Sequence, residues 1–355
     1  MKRIGYIYEK MCSPELIREA IFKAARGKRK RHDVKRVLAD VDKHVAIIQE
    51  LLEKQEFEPA PYFVSERYDP HNKKTRIIQR PKFFPDQVIH WIVVLSIQPT
   101  LMRGMYHWSC GSIPGRGSGH GQKAVRRWLK NDRKNTKYCL KLDIRHFYDT
   151  IPHDLLKKAL RRKIKDERAL WLIGEIIDST PVGVPIGNYT SQWLANFYLE
   201  TLDHYIKERL GAKYYVRYID DIVIFGRNKK QLHALRKKLF AFIEEELGLE
   251  VKGNWQVFPV DARGVDFLGY VFRHDYIKMR DRNFLALTRQ CRRVKKKLHR
   301  GDEIPYRMAA GLISRAGQLK HCNSQHIKHR YYDGIKEKRL KEVIRIESKR
   351  QLRAA

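Results

Sequence analysis

The stretch YYVRYIDDIVIFG, Tyr214 to Gly226, constrains the fold more than any other part of the chain. Aromatic and β-branched residues flank two adjacent carboxylates, Asp220 and Asp221, a pattern that predicts strand, tight turn, strand. Two-residue hairpin turns favour Asn-Gly or Asp-Gly, because positive φ is needed there. Asp-Asp is a poor turn on those grounds, and a local rule broken without evident compensation marks a candidate functional site. A lone Asp-Asp pair is more often an ordinary solvated turn, so the rest of the chain has to decide.

The segments around the hairpin supply a topology. KYCLKLDI alternates, with Tyr138, Leu140 and Leu142 on one face and Cys139, Lys141 and Asp143 on the other, which is a strand signature. Helical patterns follow in PHDLLKKALRRKI, with Pro152 at a first-turn position, then ERALWLIGEII and SQWLANFYLETLDHYIKERL. Beyond the hairpin come a helical KKQLHALRKKLFAFIEEEL and a strand-like LEVKGNWQVFPV. The order β-α-β-β-α-β is that of a ferredoxin-like domain. Its right-handed crossover leaves room for strand three between strands one and two. Asp143, at the end of strand one, then meets the hairpin carrying Asp220 and Asp221.

Upstream, apolar spacing predicts one helix over Val34 to Lys54. Two strand-like runs, YFVSE and TRIIQ, are separated by the turn-rich DPHNKK, and a helix is expected over Pro85 to Leu101. GSIPGRGSGHGQK is glycine-rich but fits neither GxGxxG nor GxxxxGK[ST] in register, so it reads as a flexible basic loop. GKRKRHD, Gly27 to Asp33, reads equally as an RNA contact or a solvated basic turn.

Charge narrows the partner. The 355 residues hold 74 Lys and Arg against 40 Asp and Glu, a net +34, which says little about fold but predicts a polyanion. From Tyr276 to Ala355 there are 23 basic and 7 acidic residues. The longest nearly uninterrupted apolar run, VIHWIVVLSI, contains His90 and is far short of a membrane span. MKRIGYIYEKM lacks a signal-peptide apolar region, so nucleic acid is the better partner than a membrane. Five scattered cysteines without a CxxC pair fit reduced thiols in a cytoplasmic protein, and HCNSQH reads as surface polar residues rather than a zinc site.

Crowded carboxylates repel, and desolvating each costs several kcal/mol. They persist at neutral pH if a hard cation lies between them. Mg²⁺ is typically held by one or two carboxylates with substrate phosphates, and two such ions clamp the attacking and leaving oxygens of a phosphoryl displacement. A strongly basic chain with this cluster reads as a nucleotidyl transferase or a nuclease, with a surface acidic patch as the lesser alternative.

LDIRHFYD, VPIGNYTSQWLANFYL, YIDD and VDFLGY occur in the order of the palm motifs of reverse transcriptases, and the chain resembles that family over roughly residues 35 to 330. The resemblance implies an α+β right-hand polymerase with fingers, ferredoxin-like palm and helical thumb. It implies a basic extension over 1–34, fingers with part of the palm over 35–135, and the catalytic palm over 136–275. A thumb over 276–330 and a basic tail helix over 331–355 complete it. Asp143 and Asp220 are implied as the main ligands of two Mg²⁺ ions, with Asp221 supporting. Tyr148 matches the aromatic gate that excludes a ribose 2′-OH, and Phe147 is the residue it could be confused with. TRIIQRP resembles the fingers motif and implies Lys74, Arg76 and Arg80 near the triphosphate of the dNTP. Of these Arg76 fits best, because a guanidinium fork suits phosphate. Ile186, Gly187 and Gln192 are implied at the nucleotide, and Phe267, Leu268, Gly269 and Tyr270 at the primer end.

Most reverse transcriptases carry QGxxxSP where this chain reads IGNYTSQ, Ile186 to Gln192. That version, with NWQVFPV, RGVDFLGY and LKHCNS, resembles the enzymes of diversity-generating retroelements. The likeness implies copying of a template-repeat RNA into cDNA, mutated at template adenines, by mutagenic retrohoming. It also implies a small basic oligomeric accessory protein, and leaves RNA removal, target cutting and integration to other proteins. A second departure is Trp255, near where many relatives carry a lysine, which leaves open the general acid for pyrophosphate release. Retron, group II intron and phage-defence reverse transcriptases are the close alternatives. A non-catalytic RNA-binding scaffold is more distant, since pure RNA binding has no use for clustered anions.

Overall fold

The computed structural model of the protein describes residues 3–69 and 74–353, and among these ten strands form three sheets. By internal contacts the chain divides into two compact units, Met1–Gly121 with Leu140–Val257 and Gln122–Cys139 with Phe258–Ala355.

In the first unit, β1 (Phe63–Asp69) and β2 (Lys74–Arg80) pair antiparallel in full register from Phe63 opposite Arg80 to Asp69 opposite Lys74. The turn expected in DPHNKK falls on residues 70–73, outside the described residues. The central sheet holds β3 (Ser109–Cys110), β4 (Tyr138–Asp143), β5 (Tyr214–Tyr218), β6 (Asp221–Gly226) and β7 (Gln256–Pro259). Its order is β3-β5-β6-β4-β7, so the third strand of the β-α-β-β-α-β unit does lie between the first and second. Both faces of the hairpin are covered: Tyr215, Val216, Ile222, Val223 and Ile224 are all fully buried. Burying each aliphatic side chain contributes about 1.5–3 kcal/mol, so packing rather than turn chemistry drives this hairpin into the sheet.

Helices His153–Lys163, Glu167–Asp178 and Tyr189–Tyr198 lie between the first two strands of that unit. Pro152 stands as the N-cap of the first of them rather than inside its first turn. Three expected elements are shorter than their periodicity suggested. The helix expected over Val34 to Lys54 breaks at Asp40 (φ −144°), whose carboxylate caps the following helix by accepting from the Lys43 amide at 3.1 Å. The long helix after Ser191 breaks at Leu199, and regular strand in LEVKGNWQVFPV is confined to Gln256–Pro259. The glycine-rich segment is a loop only as far as Gly117, because a helix begins at Ser118. Its apolar residues Ala124, Val125, Trp128 and Leu129 recur at helical spacing just beyond the glycines and are buried, and that burial outweighs the glycine penalty.

The second unit has the meander β8 (Val265–Phe267), β9 (Tyr270–Phe272) and β10 (Ile277–Met279). Helices Asp281–His299, Tyr306–Gly317 and Glu337–Arg353 surround a core of Met279, Leu287, Cys291, Val294, Leu312 and Leu340. Leu287, Cys291 and Val294 recur at helical spacing and turn Arg292, Arg293 and Lys296 outward, which makes one face apolar and the other cationic. No helix among the described residues is long and apolar enough to cross a membrane.

Candidate functional site

The carboxylates meet where the topology requires. Tyr218 pairs with Asp221, so the turn proper is Ile219–Asp220 and Asp221 is the first residue of β6. The turn was expected at Asp220–Asp221; instead Ile219 takes the positive φ, at 57°. Beyond the end of β4, the Ile144 amide donates to the Asp220 carbonyl at 3.3 Å. Asp143 and the hairpin are thereby joined through backbone.

Burial, and then the neighbouring charge of Asp143, raise the Asp220 carboxyl from 3.8 to about 6. Burial, opposed by Lys141 and reinforced by the charges of Asp143 and Asp220, likewise raises Asp221 from 3.8 to about 6. Lys141 Nζ lies 3.5 Å from Asp221 Oδ2. Lys252 is hydrogen-bonded through Nζ to Asp143 Oδ1, and its amide donates to the Asp143 carbonyl at 2.9 Å. The segment after β6 thus brings Lys252 to Asp143, beside Lys141 at Asp221, whereas the sequence pointed to the position of Trp255. Trp255 packs instead against helix Lys229–Ala241, with the Arg236 guanidinium 4.0 Å from its ring centroid.

Carboxylate oxygens are the donors a hard cation prefers. Asp221 Oδ1 is buried without a hydrogen-bond partner, an acceptor that a divalent ion would satisfy. Among the described residues no three His, Cys, Asp or Glu side chains stand in ligating geometry. Asp143 and Asp221 are engaged by lysines in that arrangement.

Beside the carboxylates lies a cavity of about 560 Å³. It is lined by Arg76, Tyr148, Ile186, Gly187 and Gln192, five of the residues singled out in the sequence. Three contacts position them. The Gln79 amide of β2 donates to the Ile186 carbonyl at 3.0 Å. Gly187 has φ 148°, and a Cβ there would run into the Gln79 carbonyl, so the strand can approach only a glycine. The Val184 amide donates to the Tyr148 carbonyl at 2.7 Å, fixing the Tyr148 turn to the same segment. Burial and the Asp220 charge push the Tyr148 hydroxyl up to about 12, so it stays a neutral ring and hydroxyl at the cavity wall. Phe147 is 2% exposed and belongs to the core.

Sequence reasoning missed half of this wall. Lys23, Arg26 and Lys28, from the helix Pro14–Ala25 and the basic turn after it, line the cavity, and among the described residues no acidic one does. Trp91 and Tyr189, also in the wall, stack on each other with centroids 3.9 Å apart. The basic run was visible, but nothing local in GKRKRHD says that it folds over a site formed about 50 to 190 residues later. Arg80 is exposed and is not part of the wall, and the Lys74 side chain lies outside the described residues.

Phe267–Tyr270 belong to the second unit and form the β8–β9 hairpin. Leu268 and Gly269 make its turn with φ 50° and 90°. Phe267 and Tyr270 are buried, and the Tyr270 hydroxyl donates to the Gln318 carbonyl at 2.9 Å.

A family model described as reverse transcriptase (RNA-dependent DNA polymerase) matches residues 69–272. Protein YkfC of Escherichia coli (strain K12) is 25% identical over 240 residues, covering 56% of this chain and 62% of that protein. Retron Ec73 reverse transcriptase of Escherichia coli is 30% identical over 145 residues, 37% of this chain and 45% of that protein. The chain thus spans less than two thirds of the length of either relative. Among solved structures, telomerase from Candida albicans in complex with a TWJ fragment of telomeric RNA gives a TM-score of 0.49 at 14% identity. That match covers 67% of this chain and 51% of that one.

Proposed function

The chain belongs to the reverse transcriptase (RNA-dependent DNA polymerase) family, and we propose that it copies an RNA template into DNA at the site of Asp143, Asp220 and Asp221. The observation that carries this reading is the cavity beside those carboxylates, walled by Arg76, Tyr148, Ile186, Gly187 and Gln192 and, among the described residues, by no acidic side chain. Its volume suits a nucleotide.

Asp143 and Asp220, with Asp221 supporting, would hold two Mg²⁺ ions, which neutralise charge on the attacking and leaving oxygens when bound. Arg76, whose charge acts on both Asp220 and Tyr148, binds the triphosphate at the carboxylate end. Tyr148 closes the space that a 2′-OH would need. Gly187 lets β2 close on the base-pair side, and Ile186 offers that pair an apolar contact without a donor or acceptor. Lys23, Arg26 and Lys28 add cationic groups for nucleic-acid phosphates, as do the outward residues of helix Asp281–His299. Phe267–Tyr270 serve the primer end.

The finer reading rests on IGNYTSQ. The enzyme is of the diversity-generating type, copying a template-repeat RNA with errors at adenines and working with a small basic accessory protein. A retron-type enzyme is the second reading, favoured by the 30% identity to Retron Ec73 reverse transcriptase. A pair of near-repeats beside the gene, differing at adenines, decides for the first.

Primer extension on RNA with Mg²⁺ tests the activity. Asp143→Ala and Asp220→Ala are expected to abolish synthesis and to leave RNA binding intact, because affinity comes from Lys and Arg contacts to phosphate. Residual synthesis within about tenfold of wild type overturns the assignment, since a metal ligand contributes more than that.

A further inference from the structure

We infer that Arg217 is the positioning residue that fixes the peptide between Ile219 and Asp220, and through it the direction of the Asp220 carboxylate. The inference rests on the proposed role of Asp220 and adds the device that holds it.

The turn carrying Asp220 is conformationally unfavourable by itself. Ile219 sits at φ 57°, and a β-branched residue in the left-handed region is a genuine outlier. Such a conformation persists only where its surroundings over-determine it. Both backbone polar groups of Ile219 are pinned. Its amide donates to the Cys110 carbonyl at 3.1 Å, and its carbonyl accepts from Arg217 Nη1 at 2.9 Å. The Ile219 side chain also lies close over Gly111, where an added Cβ would come within 2.9 Å of Ile219 Cγ1.

Arg217 itself has no freedom. It is fully buried inside β5, and its Nε and Nη2 donate to the two oxygens of Asp203 at 2.7 and 2.6 Å. Asp203 is equally buried and accepts a further hydrogen bond from the Tyr215 hydroxyl at 2.6 Å. Arg217 Nη1 also reaches Asn196 Oδ1 at 3.3 Å, and Asn196 Nδ2 donates to the Gly111 carbonyl at 3.1 Å. A rigid helix residue, Asp203, therefore fixes the guanidinium, and the guanidinium fixes the Ile219 carbonyl.

Stability does not explain this arrangement. A buried ion pair is commonly replaceable by apolar residues without loss, so its retention in an otherwise apolar strand calls for another reason. The planar fork supplies one. It holds a carboxylate with two nitrogens and still aims a third at the turn, which a lysine ammonium cannot do. Flipping the Ile219–Asp220 peptide would break the Arg217 contact and redirect Asp220 away from Asp143.

The test uses the full-length protein and the variant Arg217→Lys, which keeps the charge opposite Asp203 and loses the fork. Hydrogen exchange is read at residues 219–222 without nucleotide or metal, beside single-turnover rates on primed RNA. We expect exchange in the turn to rise by about tenfold or more, with RNA affinity unchanged. The chemical step should slow by about 100-fold and need more Mg²⁺, with KM for dNTP nearly constant, as for a misplaced catalytic group. Asparagine tolerates the left-handed conformation, so the Arg217→Lys loss should be several times smaller in an Ile219→Asn background. Tyr215→Phe, which loosens Asp203 without removing charge, should shift exchange in the same direction by less. Unchanged protection of the turn in Arg217→Lys overturns the inference, as does an equal loss in both backgrounds. Exchange is read without activity, so a protein inactive on RNA would sink the proposed function and still test the clamp.

Discussion

Replacing Asp221 by Asn should make the metal-free protein more stable and the enzyme worse. The carboxyl of Asp221 is raised from 3.8 to about 6, first by burial and then by the charges of Asp143 and Asp220. A folded-state value above the unfolded one means that the folded state holds the proton more tightly. The ionised group therefore opposes folding: its effect is absent below about pH 4, grows between 4 and 6, and is complete above 6. The difference between 3.8 and about 6 corresponds to about 3 kcal/mol at neutral pH. The side chain is 24% exposed and solvent screens part of this, so on the order of 2 kcal/mol is expected from Asp221→Asn. Each kcal/mol moves Tm by roughly 2–4 °C in chains somewhat smaller than this, so the variant should melt about 4–8 °C higher at pH 7.5. The gap should shrink to about half by pH 5 and close as pH falls to about 4. Saturating Mg²⁺ should narrow it from the other side, because an ion that binds only the folded wild type stabilises it by mass action. Differential scanning calorimetry at several pH values, with EDTA and with Mg²⁺, measures all of this. A variant that melts at or below wild type in EDTA at pH 7.5, or a gap that does not change with pH, refutes the reasoning.

Two further expectations concern the cavity wall. Tyr148→Ala should raise ribonucleotide incorporation far more than Phe147→Ala does, because only Tyr148 lines the cavity while Phe147 is 2% exposed in the core; competition of rNTP against dNTP in primer extension reads the ratio, and equal behaviour places the gate elsewhere. Ile186→Gln should lower misincorporation by severalfold, most at template adenine, since one regained hydrogen bond contributes about 1 kcal/mol of discrimination. Sequencing cDNA from both enzymes on one RNA measures it, and an unchanged error spectrum leaves Ile186 as packing alone.

Much of this protein was determined by its sequence alone, for local physical reasons. Alternation in KYCLKLDI and the apolar runs around YIDD specify strands whichever partners they find. The β-α-β-β-α-β order, with right-handed crossovers, then admits few arrangements, and the one observed brings Asp143 to the hairpin. Gly187 was visible as part of a motif, but its reason was not: only the approach of the Gln79 carbonyl shows why a side chain is forbidden there. Lys252 and Trp255 sit in the same short segment, and no periodicity tells which of them reaches Asp143. That choice was made by the segment's path, where the Arg145 and Lys252 amides donate across to Glu250 and Asp143. Lys28 lay in a basic run of unassigned use, and Lys23 and Arg26 just before it carried no signal, until the fold brought all three to the cavity. Arg217 was in plain view in YYVRYIDD as a charge within an apolar strand. Its partner Asp203 looked like any residue of an amphipathic helix, and their pairing required the sheet to pack on that helix. Local pattern thus sets which elements form and in what order, because it acts through neighbours along the chain. Which side chains meet at the site depends on contacts distant in sequence, and only the packed structure decides those.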